Sequence, residues 1–436
     1  MKTLILGGGL TGITLARLLS EQGEDVLVLE QEQQAGVLCR SNTVDGFTFD
    51  TGGSHIIFSR DTEVISFIHA ILGENRGERE RNTKILYKGR HVKYPFENAL
   101  SELPPEDCYT CLHEFIKILI ASERGVLPPI GNFRDWICQT FGDGIADAYL
   151  IPYNTKIWNY PPEKMSAHWV EGRVPRPPVE DILKSAVGIA TEGYTHQAVF
   201  SYPVTGGIEA LIHAMMAPVS GQVNTRFRVQ TIREVSGGYE VSDGEETVFG
   251  DRLISTIPLQ NLVRVLSDIP ETVFEAVSSL KYNAVVTIGI GKTGEVPPYS
   301  WAYIPDPFIS KANRISFPSN FSDTTAPSGC SSVLAEITYN PGDSIDQMTD
   351  DEIKNHVIGS LSEMGILLPG EVKTCLITRN EFAYVVYDLD YIKNIRLIHD
   401  YFQERGISLI GRFSRFEYLN MDGIIRSVLD FVKVKE

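Results

Sequence analysis

Apolar and polar residues alternate at the start of the chain in a pattern that predicts a strand, a helix and a second strand. Residues 2–6 are mostly apolar, and such a short run is typical of a buried parallel strand. A glycine-rich turn follows, residues 13–22 repeat apolar positions with helical spacing, and residues 25–30 form a second apolar run. Together these elements predict a βαβ unit.

The pattern changes between about residues 95 and 200, where helical stretches alternate with proline-containing breaks. Residues 222–257 return to short strands, with hairpin signals at Gly237-Gly238 and Asp243-Gly244. The middle of the chain is therefore expected to hold a helical part followed by a sheet-rich part. The predicted helices are 106–120, 133–141 and 145–150, and the further predicted strands are 46–50, 284–290, 314–318, 332–338 and 374–379.

The end of the chain repeats the pattern of its beginning. A short apolar run at 408–411 is followed by a helical pattern at 422–432, as expected for a last parallel strand and a last helix. The first and last segments therefore look like parts of one doubly wound domain, into which the middle of the chain is inserted.

Composition and charge exclude several classes of protein. The 436 residues are 43% apolar and 22% charged, a balance typical of globular proteins. The net charge of −17 makes nucleic acid and anionic membranes poor partners. No apolar stretch approaches the ~20 residues of a membrane helix, and the first residues run into glycines rather than into a secretory signal. Six cysteines are too few for a disulfide framework, so a reducing, cytoplasmic setting is expected.

Gly7, Gly9 and Gly12 form a GxGxxG motif between the first strand and the first helix. In this context the first glycine permits a tight turn, the second lets the backbone approach a pyrophosphate, and the third lets helix and strand pack closely. Glu30, at the end of the second strand, can accept hydrogen bonds from ribose hydroxyls. The segment therefore predicts a dinucleotide-binding site, with phosphates at the helix N-terminus.

Two segments beyond Glu30 indicate which dinucleotide binds. They are Gln33-Gln-Ala-Gly-Val-Leu-Cys-Arg-Ser41 and Phe49-Asp-Thr-Gly-Gly-Ser-His-Ile-Ile-Phe-Ser59, and they resemble the flavin-dependent amine oxidase and protoporphyrinogen oxidase superfamily. Gly36-Val37 stands where that superfamily usually has two glycines. The resemblance implies FAD as the cofactor, bound by Gly7, Gly9, Leu10, Thr11, Gly12, Glu30, Gln31, Gly36, Val37, Leu38, Gly53, Ser54, Val229, Gly411, Arg412, Asn420, Met421 and Asp422.

This resemblance also implies the architecture of the whole chain. The expected fold is α/β, with a discontinuous Rossmann-like FAD-binding domain of the GR2 type, an inserted helical domain and an antiparallel-sheet substrate domain. The expected segments are 1–92, 201–265 and 393–436 for the FAD-binding domain, 93–200 for the mainly helical substrate domain, and 266–392 for the antiparallel-sheet substrate domain.

Motifs of the inserted region narrow the resemblance. Tyr94-Pro-Phe-Glu97, Pro152-Tyr-Asn-Thr-Lys-Ile-Trp158, Lys164-Met-Ser-Ala-His-Trp-Val-Glu-Gly-Arg173 and Asn313-Arg-Ile-Ser-Phe-Pro-Ser-Asn-Phe321 are similar to eukaryotic-type UDP-galactopyranose mutases. The resemblance implies an enzyme that converts UDP-galactopyranose to UDP-galactofuranose, or a close relative of this reaction. In that family N5 of the reduced flavin is the nucleophile at the anomeric carbon.

The mutase resemblance assigns catalytic roles to three residues. Arg173 and Arg314 match two arginines that hold the diphosphate, a role that suits the bidentate guanidinium group. His55 matches a histidine on the loop that faces flavin N5, although one extra residue, Ser54, precedes it in this chain.

The same resemblance implies a set of substrate-binding residues. Tyr303, Tyr384 and Tyr418 match tyrosines that contact the phosphates, with Tyr387 an alternative to Tyr384. Glu97 departs from a glutamine of the family, and a carboxylate only accepts hydrogen bonds whereas an amide also donates them. The matches to residues around the uridine are Tyr94, Tyr149, Asn154 and Trp158.

Two other functions stay open. A true oxidoreductase of the amine, porphyrinogen or polyene oxidase type would need an apolar channel, and a flavin-bound structural or regulatory protein would need no active site. For the mutase, the expected partner is a nucleoside-diphosphate sugar, NAD(P)H is a candidate reductant, and a homo-oligomer is a candidate assembly. Cys108 and Cys111 form a lone CxxC, and no HxxxH pair occurs, so no metal site is expected.

Overall fold

The computed structural model describes residues 1–170, 176–191 and 198–433. Most strands of these ranges are short. In chain order they are β1 (Lys2–Leu6), β2 (Asp25–Leu29), β3 (Ser41–Val44), β4 (Phe47–Asp50), β5 (Gly77–Glu80), β6 (Thr83–Tyr87), β7 (Arg90–Lys93), β8 (Val199–Tyr202), β9 (Val223–Asn224), β10 (Thr231–Val235), β11 (Gly238–Ser242), β12 (Thr247–Gly250), β13 (Arg252–Ser255), β14 (Lys281–Thr293), β15 (Trp301–Tyr303), β16 (Arg314–Ser316), β17 (Cys330–Tyr339), β18 (Val372–Val386) and β19 (Ser408–Leu409).

The helices of the same ranges vary from two to five turns. In chain order they are α1 (Leu10–Glu21), α2 (Thr62–Leu72), α3 (Pro105–Glu123), α4 (Phe133–Ile145), α5 (Ile151–Trp158), α6 (Val179–Ala186), α7 (Glu209–Met216), α8 (Leu259–Val265), α9 (Glu271–Ser279), α10 (Asp350–Glu363), α11 (Tyr391–Glu404) and α12 (Met421–Lys433). Within the described part of the chain, none of them is both long enough and apolar enough to cross a bilayer.

Five strands form a parallel sheet in the order β19-β13-β1-β2-β9. Its central strands consist of buried aliphatic residues such as Leu4, Val28 and Ile254, as expected for a parallel sheet covered on both faces. β13 and β19 come from residues 252–255 and 408–409, so the predicted union of the first and last segments in one sheet is confirmed. β2 and β13 lie on opposite sides of β1, so the winding direction of the chain changes at β1. Folds of this kind bind ligands at the carboxyl end of the strands at such a point.

A second, seven-stranded sheet has the order β18-β14-β17-β16-β15-β6-β7 and is antiparallel except for the β15–β6 pair. The predicted strands at 284–290, 332–338 and 374–379 all belong to it, with longer bounds than expected. Its strands β6 and β7 come from residues 83–93, so the predicted segment 1–92 contributes to both sheets. The division of the chain into the five expected segments stays a prediction.

The helical region packs around its own apolar core, which includes Phe96, Phe115 and Phe141. The predicted helix 133–141 continues to Ile145 with a kink at Gly142, whose φ is +76°. A Cβ on Gly142 would lie 2.7 Å from the backbone of Glu114, so glycine here lets α3 and α4 pack closely. Residues 146–150 form a π-helical turn that leads directly into α5.

Candidate functional site

A cavity of about 630 Å³ lies between the seven-stranded sheet, the helical region and the start of α12. Its lining includes the loop at 52–58, the segment 94–97, the α4–α5 region, residues of β15, β16 and β18, and the start of α12. Side chains far apart in sequence therefore face one cavity, of the size that binds a small molecule.

The turn between β1 and α1 forms a close-packed cradle that requires glycine. Gly7 has a φ of +95°, and a Cβ on Gly12 would lie 1.9 Å from the Gly7 carbonyl oxygen. Gly9 precedes α1 and supplies no side-chain cap to the first helical amides, which include those of Leu10 and Thr11. An uncapped helix N-terminus behind a glycine turn is suited to a pyrophosphate.

Glu30 lies beside this cradle and is almost fully buried. Its carboxylate accepts hydrogen bonds from the amides of Gly8, at 2.6 Å, and Glu32, at 2.8 Å. Burial raises the pKa of Glu30, and the two amides oppose this shift. The Phe227 amide donates to the Glu30 carbonyl at 2.9 Å, which brings the loop carrying Val229 to the same strand end. The predicted neighbour Gln31 is exposed.

Two further predicted cofactor segments pack against the cradle. The Gly36 amide donates to the Gly8 carbonyl at 2.9 Å, and a Cβ on Gly411 would lie 2.5 Å from Oγ1 of Thr11. Val37 has a φ of +49°, which β-branched residues rarely adopt. This strain gives a physical reason for the glycine that is usual at the position in the superfamily.

The start of α12 and the loop before it lie at one end of the cavity. Asn420, Met421, Asp422 and Leu38 line that end, as the resemblance predicts for residues near a flavin. Arg412 also lines it and donates to the carbonyls of Leu419, at 2.7 Å, and Ala383, at 2.8 Å. Arg412 therefore fastens the loop before α12 to the end of β18.

His55 lines the cavity from the loop at 52–58. Its Nδ1 lies 2.7 Å from the Gly53 carbonyl, which can only accept, so Nδ1 carries the proton and Nε2 the lone pair. The pKa of His55 is lowered to about 4, mainly by burial and to a smaller extent by Arg412 and Arg314, against the opposing Gly53 hydrogen bond. His55 is therefore neutral at physiological pH and can accept a hydrogen bond at Nε2.

Arg314 lines the cavity and is held from beneath by Glu336. Nε and Nη2 of Arg314 donate to Oε1 and Oε2 of Glu336 at 2.8 and 2.7 Å. Glu336 is 1% exposed and also accepts the amide of Ser54 at 3.1 Å. Gly53 packs so closely on this carboxylate that a Cβ there would lie 2.8 Å from it. One buried carboxylate thus fixes both the predicted diphosphate-binding arginine and the loop of His55.

Two other guanidinium groups bear on the predicted cation pair. Arg173, the expected second arginine, lies outside the described residues. Arg81 lines the cavity, with its guanidinium 4.7 Å from the ring of Tyr94 and 4.9 Å from that of Trp301. Sequence reasoning missed Arg81, because it precedes β6 without any motif around it.

The three predicted phosphate-contacting tyrosines all line the cavity. Tyr384 and Tyr418 lie 5.8 Å apart between ring centres, and Tyr303 pairs with Arg314 across β15 and β16. Burial raises the pKa of Tyr384, so its phenol stays protonated and can donate a hydrogen bond. Tyr387, the alternative to Tyr384, is buried behind the wall, where its hydroxyl accepts the Tyr418 amide at 2.6 Å.

The four predicted uridine-pocket residues also line the cavity. The Tyr94 ring lies 5.4 Å from that of Tyr303, and Tyr149 stacks on Phe96 at 5.0 Å. Asn154 donates to the Leu150 carbonyl at 2.7 Å and accepts from Nε1 of Trp158 at 3.0 Å. The amide of Asn154 therefore orients Trp158, a role that the resemblance did not indicate.

Trp301 and Glu97 complete the polar and aromatic lining. Trp301 was missed, although the two-residue period of β15 puts it on the same face as Tyr303 and was a usable signal. Glu97, which departs from the family glutamine, is 3% exposed and lies next to the stacked Phe96. A buried carboxylate thus stands in the lining where the resemblance expects an amide.

The described residues contain no group of three His, Cys, Asp or Glu side chains that could hold a metal ion. They do fit a dinucleotide. The glycine cradle, the uncapped start of α1 and the buried Glu30 form one continuous surface at the end of β1 and β2. The start of α12 and the His55 loop lie at the end of the adjoining cavity. This arrangement fits the pyrophosphate, ribose and ring system of FAD.

Comparisons with known proteins agree with this geometry. The profile of the family described as flavin containing amine oxidoreductases matches residues 10–379. A crystal structure of reduced UDP-galactopyranose mutase is similar over 99% of this chain and 94% of its own, at 27% identity and a TM-score of 0.90. A putative protoporphyrinogen oxidase from Exiguobacterium sp. 255-15 shares the fold over 100% and 98% of the chains, at 17% identity and a TM-score of 0.78. The predicted fold class is confirmed.

Sequence matches to curated proteins are shorter. The UDP-galactopyranose mutase of Mycoplasma pneumoniae is 25% identical over 175 residues, which are 39% of this chain and 43% of that protein. The chain spans less than two thirds of the length of the curated relatives that it matches.

Proposed function

The chain belongs to the flavin-containing amine oxidoreductase family, and we propose that within this family it acts as a nucleotide-sugar mutase. The reaction would interconvert the pyranose and furanose forms of a UDP-hexose, most simply UDP-galactose. The similarity to a solved UDP-galactopyranose mutase over nearly the whole chain supports this proposal.

One observation carries the proposal: Arg314 lies in the same cavity as the flavin end of the cofactor site, among tyrosines. Glu336 occupies Nε and Nη2 of Arg314, and among the described residues none accepts a hydrogen bond from Nη1. That terminal group is therefore available to an anionic ligand. A guanidinium oriented by a buried carboxylate is well suited to a diphosphate that must depart and return.

When bound in its reduced form, the flavin would supply the nucleophile for the anomeric carbon. The side chains of this protein would do the remaining work. Arg314, with Arg173 as the proposed second cation, would hold the diphosphate close to the sugar after it leaves. The phenol hydroxyls of Tyr303, Tyr384 and Tyr418 would donate hydrogen bonds to phosphate oxygens.

The aromatic walls would exclude water from the separated sugar and diphosphate. Trp158 lies 6.1 Å from Tyr384 and 5.5 Å from Tyr418 between ring centres, so these three rings form one continuous wall. Water exclusion matters here, because the sugar would otherwise react with water while the diphosphate is detached from it. It also strengthens the attraction between Arg314 and the diphosphate.

The finer features of the proposal follow from the motifs. We propose FAD as the flavin, a mutase of the eukaryotic type, and NAD(P)H as the source of electrons for priming. His55 would contact the flavin, and Tyr94, Tyr149, Asn154 and Trp158 would surround the uridine. We also propose the five domain segments that the sequence predicts.

Binding of UDP to an Arg314→Ala variant tests the role of Arg314. Loss of a charged hydrogen bond of about 2 kcal/mol or more should weaken UDP binding roughly 30-fold, while the flavin stays bound. Arg379→Ala is a matched control, because Arg379 lies on β18 in an exposed ion pair with Asp350. Equal UDP affinity in the two variants would exclude Arg314 from the diphosphate site.

An oxidoreductase acting on an apolar substrate is the second candidate. The observation that favours it is the apolar side of the cavity, where Phe133, Trp136, Ile137 and Phe141 of α4 contribute to the lining. Such an enzyme would release hydrogen peroxide in the presence of oxygen and an amine, porphyrinogen or polyene. Flavin reduction by one of these substrates, without any effect of UDP, would favour the oxidase.

A further inference from the structure

The ammonium group of Lys156 lies in a cage of backbone carbonyls. Lys156 is in the last turn of α5, and its Nζ is 2.7 Å from the carbonyl oxygen of Ile304, 2.8 Å from that of Ser310 and 2.7 Å from that of Ala312. The carbonyl oxygen of Asp306 is a fourth neighbour at 3.3 Å. Because an ammonium has three N–H donors, the three short distances account for all of them.

No carboxylate of the described residues forms an ion pair with Lys156, so its hydrogen bonds go to backbone carbonyls. Burial lowers the pKa of Lys156 to about 7, with Asp306 opposing the shift. An apolar side chain of similar length would avoid this cost of burying a charge. The charged group is therefore better explained by the ordering of the carbonyls that it binds than by a contribution to overall stability.

The cage belongs to the segment that connects two substrate-facing strands. Ile304 directly follows Tyr303 at the end of β15, and Ala312 lies two residues before Arg314 at the start of β16. The amide of Ile304 donates to the carbonyl of Asn313 at 3.0 Å, which closes the two ends of the segment on each other. The path of the segment thus sets where Tyr303 and Arg314 enter the cavity.

The opposite face of α5 forms part of the cavity wall. Tyr153, Asn154, Ile157 and Trp158 line the cavity, whereas Lys156 points to the connecting segment. The Tyr153 ring meets the Tyr303 ring edge to face at 5.1 Å, so the helix and the β15–β16 pair also touch inside the cavity. Lys156 therefore joins the two walls from behind.

We propose that Lys156 is a positioning residue whose ammonium acts as a built-in monovalent cation, ordering the 304–312 segment so that Arg314 and Tyr303 face the aromatic wall of α5. Carbonyl oxygens arranged around one cation are also the ligands that replace the hydration shell of potassium. Removal of the side chain should therefore leave a site for a small monovalent cation. The prediction for ligand affinity rests on the proposed function, whereas the prediction for cation binding does not.

The test compares flavin-loaded, full-length Lys156→Ala in tetramethylammonium chloride, potassium chloride and ammonium chloride at equal ionic strength. In tetramethylammonium chloride, UDP should bind about tenfold more weakly than to the wild type, and KM should rise about tenfold with kcat changed less than about threefold. Potassium or ammonium should restore most of the affinity and raise the thermal unfolding temperature of the variant but not that of the wild type.

Lys311→Ala is the matched control, because Lys311 lies in the same segment without a side-chain hydrogen bond among the described residues, and it should behave as wild type. Lys156→Met replaces Lys156→Ala if the latter fails to fold, and it should show the same loss of affinity without rescue by cations. Two results for Lys156→Ala would overturn the proposal. One is wild-type affinity for UDP in every salt, and the other is a loss of affinity in Lys156→Ala that neither potassium nor ammonium reverses. If the wild type itself does not bind UDP, the proposed function fails, and the cation-dependent unfolding temperature still tests the cage.

Discussion

Glu336 binds Arg314 through two hydrogen bonds, 2.8 Å from Nε to Oε1 and 2.7 Å from Nη2 to Oε2. The carboxylate is 1% exposed and also accepts the Ser54 amide. Its neighbours therefore include both the arginine proposed to hold the diphosphate and the loop that carries His55. The pair neutralises itself inside the protein, and Glu336 engages Nε and Nη2 of the guanidinium but not Nη1.

Glu336→Gln should destabilise the protein, because it leaves the buried side of Arg314 without its counter-charge. We expect the free energy of unfolding to fall by about 3 kcal/mol, within the range for breaking a buried ion pair from one side. Equilibrium unfolding in urea measures this change. Glu371→Gln is the control, since Glu371 pairs with Lys292 at the edge of the same sheet and is much more exposed. A similar loss in both variants would show that the Arg314–Glu336 pair is not a special feature of the site.

Gly12→Ala should abolish flavin binding. The added Cβ would lie 1.9 Å from the Gly7 carbonyl oxygen, so the turn and the start of α1 must move apart. We expect at least a tenfold lower flavin content in the purified variant, measured by absorbance after release of the cofactor. Gly359→Ala serves as the control, because Gly359 lies in α10 with open space around it and should gain about 0.5–1 kcal/mol of stability. Normal flavin content in Gly12→Ala would contradict the assignment of the cradle.

His55 should make the stability of the protein depend on pH in the mildly acidic range. Its pKa is about 4 in the folded protein, below the ordinary value of 6.5, so the unfolded chain binds a proton first. The contribution of neutral His55 to the free energy of unfolding is fully present above pH 6.5 and is lost as the pH falls towards 4. The loss is about 2 kcal/mol at pH 5. Urea unfolding at pH 7.5 and pH 5.0 should show this loss in the wild type but not in His55→Gln. An equal loss in both proteins would rule out His55 as its source, and the exposed His113→Gln should follow the wild type.

Glu97→Gln should shift the choice of nucleotide towards uridine. Uracil presents two carbonyl acceptors beside one N–H donor, and a carboxylate can satisfy only the donor. Restoring an amide should raise the preference for UDP over GDP and CDP about tenfold, because it removes the unfavourable contact between the carboxylate and a uracil carbonyl. Competition between these nucleotides at the reduced enzyme measures the change. Unaltered selectivity would place the base away from Glu97.

The sequence predicted the cofactor half of the molecule better than the substrate half. Gly7, Gly12 and Glu30 lie within one βαβ unit, so spacing alone indicates their relationship. Arg314 and Glu336 also come together through neighbouring strands, but no sequence pattern marks the pair. The predicted Tyr384 lines the cavity from β18 together with its neighbour Ala383, so the two-residue period of a strand does not explain its position.

Other parts of the site depend on packing that no local pattern reveals. Arg81 enters the cavity because the Tyr94 and Trp301 rings flank it, and these residues come from three separate segments. Asn154 matches a substrate-binding position in the motif, yet its amide is engaged with Leu150 and Trp158 of its own region. Lys156 lies within the same motif, and only the tertiary structure shows that its partners are carbonyls about 150 residues later.

The central claim is that the protein is a mutase whose chemistry needs reduced flavin and Arg314. The most direct measurement is chromatography of UDP-galactopyranose after incubation with dithionite-reduced protein, with oxidised protein and with reduced Arg314→Ala. The account predicts UDP-galactofuranose with the reduced wild type, none with the oxidised protein, and at least a hundredfold lower rate with the variant. Absence of any furanose product from a panel of nucleoside-diphosphate sugars, with flavin fully bound and reduced, would contradict it.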